Sequence, residues 1–148
     1  MSVSRKTHYA LLAVIELARH HGGAPVPNHV IARSQGIPVK FLEAILNELS
    51  RAGVIVARRG SLGGYHLPVP PARLPVSAVI QAIEGPVEPM GCTAPTAGRE
   101  SLTERALMGM WGRVSRAVAE VYDSTTFADL LEEERRLAEV DSALSYAI

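Results

Sequence analysis

Apolar residues recur at helical spacing in the segment 36–53. Steps of three and four place five of them on one face, which predicts a helix that buries this face. They are Phe41, Leu42, Ile45, Leu46 and Leu49. Pro38 suits the first helical turn because its missing N–H costs little there. Gly53 suits the end of the helix because glycine accepts left-handed backbone angles.

The opposite face of this helix is polar or small, again at helical spacing. It carries Lys40, Glu43, Ala44, Asn47 and Arg51. The period then changes: residues 54–57 are strand-like, residues 60–64 form a turn, and residues 65–67 predict a returning strand. A polar helix followed by a hairpin that carries Arg58 and Arg59 favours DNA binding. The helix fits the major groove, and the arginines can enter an adjacent minor groove.

Two helices are predicted before this unit. Residues 4–20 form the first, with Ser4 as its N-cap, and its apolar middle predicts burial from more than one side. Residues 28–35 form the second, capped by Asn28, and Gly36 gives the tight turn into the polar helix. Helix, glycine turn, helix and hairpin together predict a winged helix-turn-helix fold.

This geometry nominates DNA-contacting residues. The second helix of the pair reads bases near its N-terminus, and flanking residues meet phosphates or cap helices. The base-reading candidates are Val39, Lys40, Glu43 and Ala44, and the phosphate or cap candidates are Asn28, His29, Arg33, Asn47 and Arg51. Glu43 has two interpretations of equal weight. It accepts a hydrogen bond from a cytosine amino group, or it is an ordinary exposed helix glutamate.

Downstream, the pattern predicts three more helices and a mainly α fold. The fourth helix starts near Val76 and ends at Gly85, the fifth spans 101–122, and an acidic sixth spans roughly 127–140 behind the cap residues Thr125 and Thr126. The chain is therefore expected to have three parts. They are a winged helix-turn-helix domain at 1–84, a sensor or linker loop at 85–100, and a dimerisation helix with a C-terminal helix at 101–148.

The fifth helix carries an apolar seam whose members alternate by four and three residues. They are Leu107, Trp111, Val114, Val118 and Val121. Packing on the chain's own domain is one explanation for such a stripe. A homodimer is the favoured one, because DNA operators are usually read by two-fold dimers.

The distribution of charge agrees with a DNA-binding half. The net charge is zero, but residues 1–75 hold nine Lys or Arg against three Glu, and residues 76–148 hold six Arg against twelve acids. The longest apolar run, residues 9–15, is too short to cross a bilayer, so no membrane partner is expected. A single cysteine suits a reducing interior, and the expected location is cytoplasmic.

Five segments occur in the order seen in a known family. They read SRKTHYALLAVIELA, IPVKFLEAILNELSRAGVI, RRGSLGGYHL, VSAVIQAIEG and STTFADLL. The chain resembles the Rrf-two-type winged helix-turn-helix transcriptional regulators, the family of IscR, NsrR and CymR. The resemblance implies a homodimeric regulator, usually a repressor, on a dyad-symmetric operator. It maps Lys40, Glu43 and Ala44 onto base-facing positions, and Arg59 with Gly60 onto the wing tip that enters the minor groove. The adjoining Ser61 is a further DNA-binding candidate.

The resemblance breaks at the sensor loop. Many members of the family hold an iron–sulfur cluster with three cysteines in this loop, whereas this chain has Cys92 alone. A cluster held by His8 and Cys92 from each of two chains is chemically conceivable, since histidine replaces cysteine in Rieske-type centres. A packed, hydrogen-bonded His8 is the favoured alternative. No cofactor is therefore expected. The expected signal is oxidation of Cys92 or an unidentified protein or small-molecule effector, with a Cys92 that has no role as the competing interpretation.

Two other function classes compete with a DNA-binding regulator. A winged-helix dimer that docks other proteins without operator recognition is the alternative, but such a protein has no need of Arg58 and Arg59. Catalysis is not expected, because the chain shows no glycine-rich phosphate loop, no metal-ligand pair at i and i+4, and no nucleophile elbow.

Overall fold

The computed structural model describes residues 3–86 and 101–147 and contains six α-helices and one hairpin in that part of the chain. The elements are α1 Arg5–Arg19, α2 Asn28–Gln35, α3 Val39–Arg51, β1 Val56–Arg58, β2 Gly64–His66, a short 3-10 turn Pro71–Arg73, α4 Val76–Glu84, α5 Leu102–Ser124 and α6 Phe127–Tyr146. The strands are antiparallel, with Ala57 opposite Tyr65. The mainly helical fold with a small hairpin wing is confirmed.

Helix α1 lies at the centre of the core. It contacts α2, α3, α4 and α6. Its small residues Ala10 and Ala13 are fully buried, and Leu11, Leu12 and Ile15 pack on the core from its flanks. The predicted burial of α1 from more than one side is confirmed within a single chain.

The burial predicted for α3 holds for four of its five apolar residues. Leu42, Ile45, Leu46 and Leu49 are buried, but Phe41 is 52% exposed. Successive residues on a helix are about 100° apart, so Phe41 lies at the edge of the stripe that Leu42 centres. The ring lies instead beside Lys40, whose Nζ is 5.3 Å from the ring centroid.

The bounds predicted for α2, residues 28–35, are confirmed, but the positions predicted for Asn28 and Pro38 at the helix starts are wrong by one residue. Pro38 is the N-cap of α3 rather than a residue of its first turn, and Pro27 rather than Asn28 is the N-cap of α2. Asn28 is the first helical residue. Neither proline offers a side-chain hydrogen bond. Both fix the extended backbone from which a helix begins.

The other predicted caps are confirmed. The Ser4 hydroxyl accepts a hydrogen bond from the Thr7 N–H at 3.1 Å. Gly53 ends α3 with a φ of 75°, and the Val54 N–H donates to the Leu49 carbonyl at 3.0 Å. This left-handed closure carries Val54 and Ile55 into the core. As a result β1 begins at Val56, later than the strand predicted from residue 54.

Helices α5 and α6 extend beyond their predicted ends. Capping boxes start both helices, with Ser101 and Glu104 in α5 and Thr126 and Asp129 in α6. Helix α6 continues to Tyr146, six residues past the predicted end at 140. Ion pairs three and four residues apart support this acidic helix.

The start of α6 joins the winged-helix core. Phe127 is fully buried, and its N–H donates to the Leu74 carbonyl at 3.1 Å. The Val76 N–H donates to the Thr125 carbonyl at 2.8 Å. The core is therefore not confined to residues 1–84. The three-part division stays a prediction, and most of its middle part, residues 87–100, lies outside the described residues.

The two phenylalanines of the chain offer a matched test of this packing. We expect Phe127→Ala to lower the free energy of unfolding by about 3–5 kcal/mol, because it empties a fully buried site. We expect Phe41→Ala to cost less than about 1 kcal/mol, because its ring is half exposed. Urea denaturation of both variants measures the difference. Equal losses would show that Phe127 does not anchor α6 to the core.

Candidate nucleic-acid interface

The outer face of α3 is open to solvent along its whole length. The nominated residues on it are all exposed: Val39, Lys40, Glu43, Ala44, Asn47 and Arg51. The turn before α3 fixes this orientation. Gly36 adopts a left-handed φ of 64°, and the Ile37 N–H donates to the Ala32 carbonyl at 3.0 Å. Ile37 is buried, so the turn is packed on the core rather than free.

The wing is fastened to the segment that starts α2. Val26 and Tyr65 exchange two backbone hydrogen bonds, each 2.9 Å long. This antiparallel bridge pairs the segment before α2 with strand β2 of the hairpin. Gly64 permits this approach, because a Cβ on it would lie 2.5 Å from the Val26 carbonyl oxygen. The wing therefore has a fixed orientation relative to the helix-turn-helix unit.

The tip of the wing is a tight β-turn. The Gly63 N–H donates to the Gly60 carbonyl at 3.0 Å, which places Ser61 and Leu62 at the two central positions. A Cβ on Gly63 would collide with the Arg58 carbonyl oxygen, so the turn closes directly onto the strand. The four nominated wing residues are all exposed: Arg58, Arg59, Gly60 and Ser61.

A groove links the wing to the start of α2. Asn28, Arg58, Arg59 and Gly60 are among the residues that line it. Asn28 is half-buried there, whereas His29 and Arg33 are exposed further along α2. The structure thus brings one nominated α2 residue together with the wing.

The cations of this surface are not neutralised by any described residue of the chain. Lys40, Arg51, Arg58 and Arg59 form no ion pair with any residue of 3–86 or 101–147. By contrast, other cations of the chain are engaged, as in the 2.6 Å pair between Lys6 and Glu48. A polar helix face, a rigid basic wing and unpaired cations form a surface suited to a polyanion with grooves.

Comparison with known proteins agrees with this geometry. The sequence model of Rrf2, described as an iron-dependent transcriptional regulator, matches residues 3–133. The chain belongs to the Rrf2 family. It is a helix-turn-helix transcriptional regulator of the DNA-binding class that this family represents.

Individual Rrf2 relatives align over most of the chain. The transcriptional regulator CymR of Bacillus subtilis is 35% identical over 130 residues, covering 88% of this chain and 89% of the relative. The solved structure of CymR, titled the global cysteine regulator of B. subtilis, has a TM-score of 0.78 at 32% identity and covers 90% of this chain and 98% of that one. The structure of T. potens IscR has a TM-score of 0.74 at 32% identity and covers 90% of this chain and 88% of that one.

The predicted dimer seam of this Rrf2 protein is incompletely covered. Helix α5 contacts α4, yet none of its 23 residues is buried. Leu107 and Val121 are exposed, and Trp111, Val114 and Val118 are half-buried. Packing on the chain's own domain, the alternative explanation, therefore accounts for only part of the seam.

The two candidate sensor residues have different outcomes. His8 is exposed on α1, 6.4 Å from the Tyr9 ring between centroids, so the packed His8 expected from the sequence is wrong. Its position on the outer side of α1 is set by the neighbours Thr7 and Ala10, which take the buried positions. Cys92 lies outside the described residues.

The described ranges, 3–86 and 101–147, contain neither a candidate membrane span nor a candidate metal site. No helix in these ranges is both long and apolar enough to cross a bilayer. Within the same ranges, no three residues of the His, Cys, Asp or Glu type are grouped in a way that could hold a metal ion. The cytoplasmic location and the absence of a cofactor stay predictions.

Sequence reasoning missed a polar cluster that supports the helix-turn-helix. Glu16 of α1 is only 3% exposed. It accepts hydrogen bonds from Ser34 at 2.8 Å and Gln35 at 2.9 Å, at the end of α2 directly before the turn, and it pairs with Arg19. Arg19 also donates to Glu134 of α6 at 2.8 Å. The sequence signal for this cluster is Glu16 itself, a single glutamate within the apolar part of α1.

The pKa of Glu16 reflects two opposed effects. Burial raises the pKa, but the hydrogen bonds from Ser34 and Gln35 and the charges of Arg19 and His20 outweigh it. The net pKa is lowered, which means that the folded protein favours the ionised carboxylate.

This shift predicts a pH-dependent stability. A lowered pKa in the folded state adds stability above the unfolded pKa, and that stability is lost as the pH falls through the folded pKa. We expect Glu16→Gln to lower the free energy of unfolding by about 1–3 kcal/mol at neutral pH, because it breaks a buried network. The deficit should shrink between about pH 6 and pH 3. Denaturant titrations across this range measure it.

The exposed Glu120 supplies the control for this experiment. Glu120→Gln should change stability little at any pH in the series. A deficit of Glu16→Gln that stayed constant down to pH 3 would contradict the assignment of an ionised, hydrogen-bonded Glu16.

Proposed function

We propose that this Rrf2 protein binds a dyad-symmetric operator as a homodimer and represses transcription from it. It acts by binding rather than by catalysis. The observation that carries the proposal is the fixed arrangement of the exposed α3 face and the basic wing on one packed scaffold. A rigid pair of reading elements can enter two adjacent DNA grooves with little cost of ordering on binding.

Each element has a distinct role in this proposal. The first turns of α3 enter the major groove, where Lys40 suits guanine O6 and N7, and Glu43 suits a cytosine amino group. Arg59 enters the neighbouring minor groove, whose negative potential is greatest where the groove is narrow. The remaining nominated residues meet the phosphates and fix the register on the duplex. They are Asn28, His29, Arg33, Asn47, Arg51 and Arg58.

The proposed homodimer accounts for the uncovered surface of α5. A 23-residue helix with an apolar seam and no buried residue exposes surface that a second copy of the seam would cover. Two-fold pairing would also place two copies of α3 on one face, as a dyad-symmetric operator requires.

The proposal predicts loss of DNA binding on removal of single cations. Duplexes selected from a random pool by the wild-type chain serve as the probe. We expect Lys40→Ala and Arg59→Ala each to weaken binding about tenfold or more, because each removes a groove contact. Binding should also fall steeply with salt, and Arg59→Ala should reduce the salt slope by about one. Fluorescence anisotropy at several salt concentrations measures both quantities.

Arg136→Ala is the control, because Arg136 is exposed on α6 and pairs with Glu133 rather than facing the interface. It should bind as the wild type does. Unchanged binding by Arg59→Ala would instead favour the protein-interaction module, in which the winged-helix dimer docks other proteins without operator recognition.

The dimer has its own test. We expect Leu107→Glu to shift the protein from two chains to one, because it places a charge in the exposed part of the seam. Arg116→Glu is the matched control, since Arg116 lies two residues from Val114 and so on the opposite side of α5. Light scattering measures the mass of each variant. A wild-type monomer, or a Leu107→Glu dimer, would contradict the seam as the interface.

For the signal, we propose a regulator without an iron–sulfur cluster. One chain offers a single thiolate, and the described residues group no three metal ligands, so the donor set does not fit a cluster held within one chain. Oxidation of Cys92, or a protein or small-molecule effector, is the proposed alternative signal.

The same protein sample, purified without oxygen, decides between these signals. It should be colourless and free of iron and sulfide. Visible absorbance with stoichiometric iron would favour a cluster shared between two chains through His8 and Cys92.

A further inference from the structure

The wing tip exposes an apolar side chain where small polar residues are usual. Leu62 is 88% exposed, more than Val39, Phe41 or Val56 on the same half of the chain. It occupies the second central position of the Gly60–Gly63 turn, a position that favours glycine, asparagine, aspartate or serine. The side chain gains no burial within the described part of the chain. A residue that breaks a local rule in this way marks a functional position.

The turn holds Leu62 at the outermost point of a rigid hairpin. The backbone is closely packed behind the tip, because a Cβ on Gly63 would collide with the Arg58 carbonyl oxygen and a Cβ on Gly64 would lie 2.5 Å from the Val26 carbonyl oxygen. The two residues before the Gly60–Gly63 turn, Arg58 and Arg59, are exposed cations without an ion pair in the described part of the chain. In the proposed complex, a minor groove that receives Arg59 would also receive Leu62, which lies three residues further along at the same hairpin tip.

The floor of the DNA minor groove differs chemically between A·T and G·C pairs. An A·T pair presents acceptors and an apolar C–H edge there, whereas a G·C pair adds the 2-amino group of guanine as a donor. A leucine over that amino group would bury it without a hydrogen-bond acceptor, which costs free energy. Apolar side chains are used in this groove by other minor-groove binders.

We propose that Leu62 is a specificity-determining residue that selects A·T pairs in the minor groove beneath the wing. The inference rests on the proposed DNA binding and assigns a contact beyond the arginines. It attributes the A·T preference to exclusion of the guanine 2-amino group, separately from the attraction of Arg59 to a narrow groove.

The test uses duplexes selected from a random pool by the wild-type chain, with the wing-facing base pairs located by footprinting. Those pairs are then changed from A·T to G·C and to inosine·C, which lacks the 2-amino group. For the wild type we expect G·C to weaken binding about tenfold and inosine·C to restore most of the loss. For Leu62→Ala the G·C penalty should fall below about threefold.

Leu144→Ala is the matched control, because Leu144 is an exposed leucine on α6 away from the wing. It should keep the full G·C penalty. An undiminished penalty in Leu62→Ala, an inosine·C duplex that binds as weakly as G·C, or no A·T preference beneath the wing would each overturn the inference. If the wild type enriches no sequence at all, the proposed operator binding fails first, and the inference falls with it.

Discussion

The burial of α1 is the constraint on which the rest of this structure depends. Four helices pack around it, and alanines at positions 10 and 13 let them approach closely. The buried polar side chains of α1 form hydrogen bonds with other elements. For example, the Thr7 hydroxyl donates to the carboxylate of Glu84 on α4 at 2.6 Å. Because the helices of this unit rest on α1, the apolar face of α3 packs inward and its polar face is directed to solvent.

The segments around α2, α3 and the wing are held to one another by backbone contacts as well as by packing. The pairing of Val26 with Tyr65 joins the wing to the start of α2, and Gly36 joins the end of α2 to α3. Both ends of α2 are therefore fixed, one to the wing and one to α3. Rigid presentation of this kind lowers the entropy lost on binding a groove.

The C-terminal helices contact this unit at two places. Phe127 enters the core, and Glu134 reaches Arg19, which in turn pairs with Glu16 beneath the end of α2. A change in the position of α6 would therefore alter contacts next to the turn between α2 and α3. In the proposed dimer, such a connection would link α5 and α6 to the turn that precedes α3.

The sequence by itself determined the order of the helices, the wing and the exposed face of α3. These features depend on local rules: helical spacing, a serine cap, and glycines at the two tight turns. Family resemblance added the regulator class, because the matching segments span most of the chain. The departure at Cys92 was also visible in the sequence, since it needs only a count of thiolates.

Only the tertiary structure decided which residues the core takes. Phe41 and Phe127 are equally apolar, yet one is half exposed and the other fully buried, because burial depends on partners far along the chain. The hydrogen-bond donors Ser34 and Gln35, which hold Glu16, come from α2. The backbone partner of Tyr65 is Val26, some forty residues earlier. No local period encodes such contacts, since they arise only when distant segments pack together.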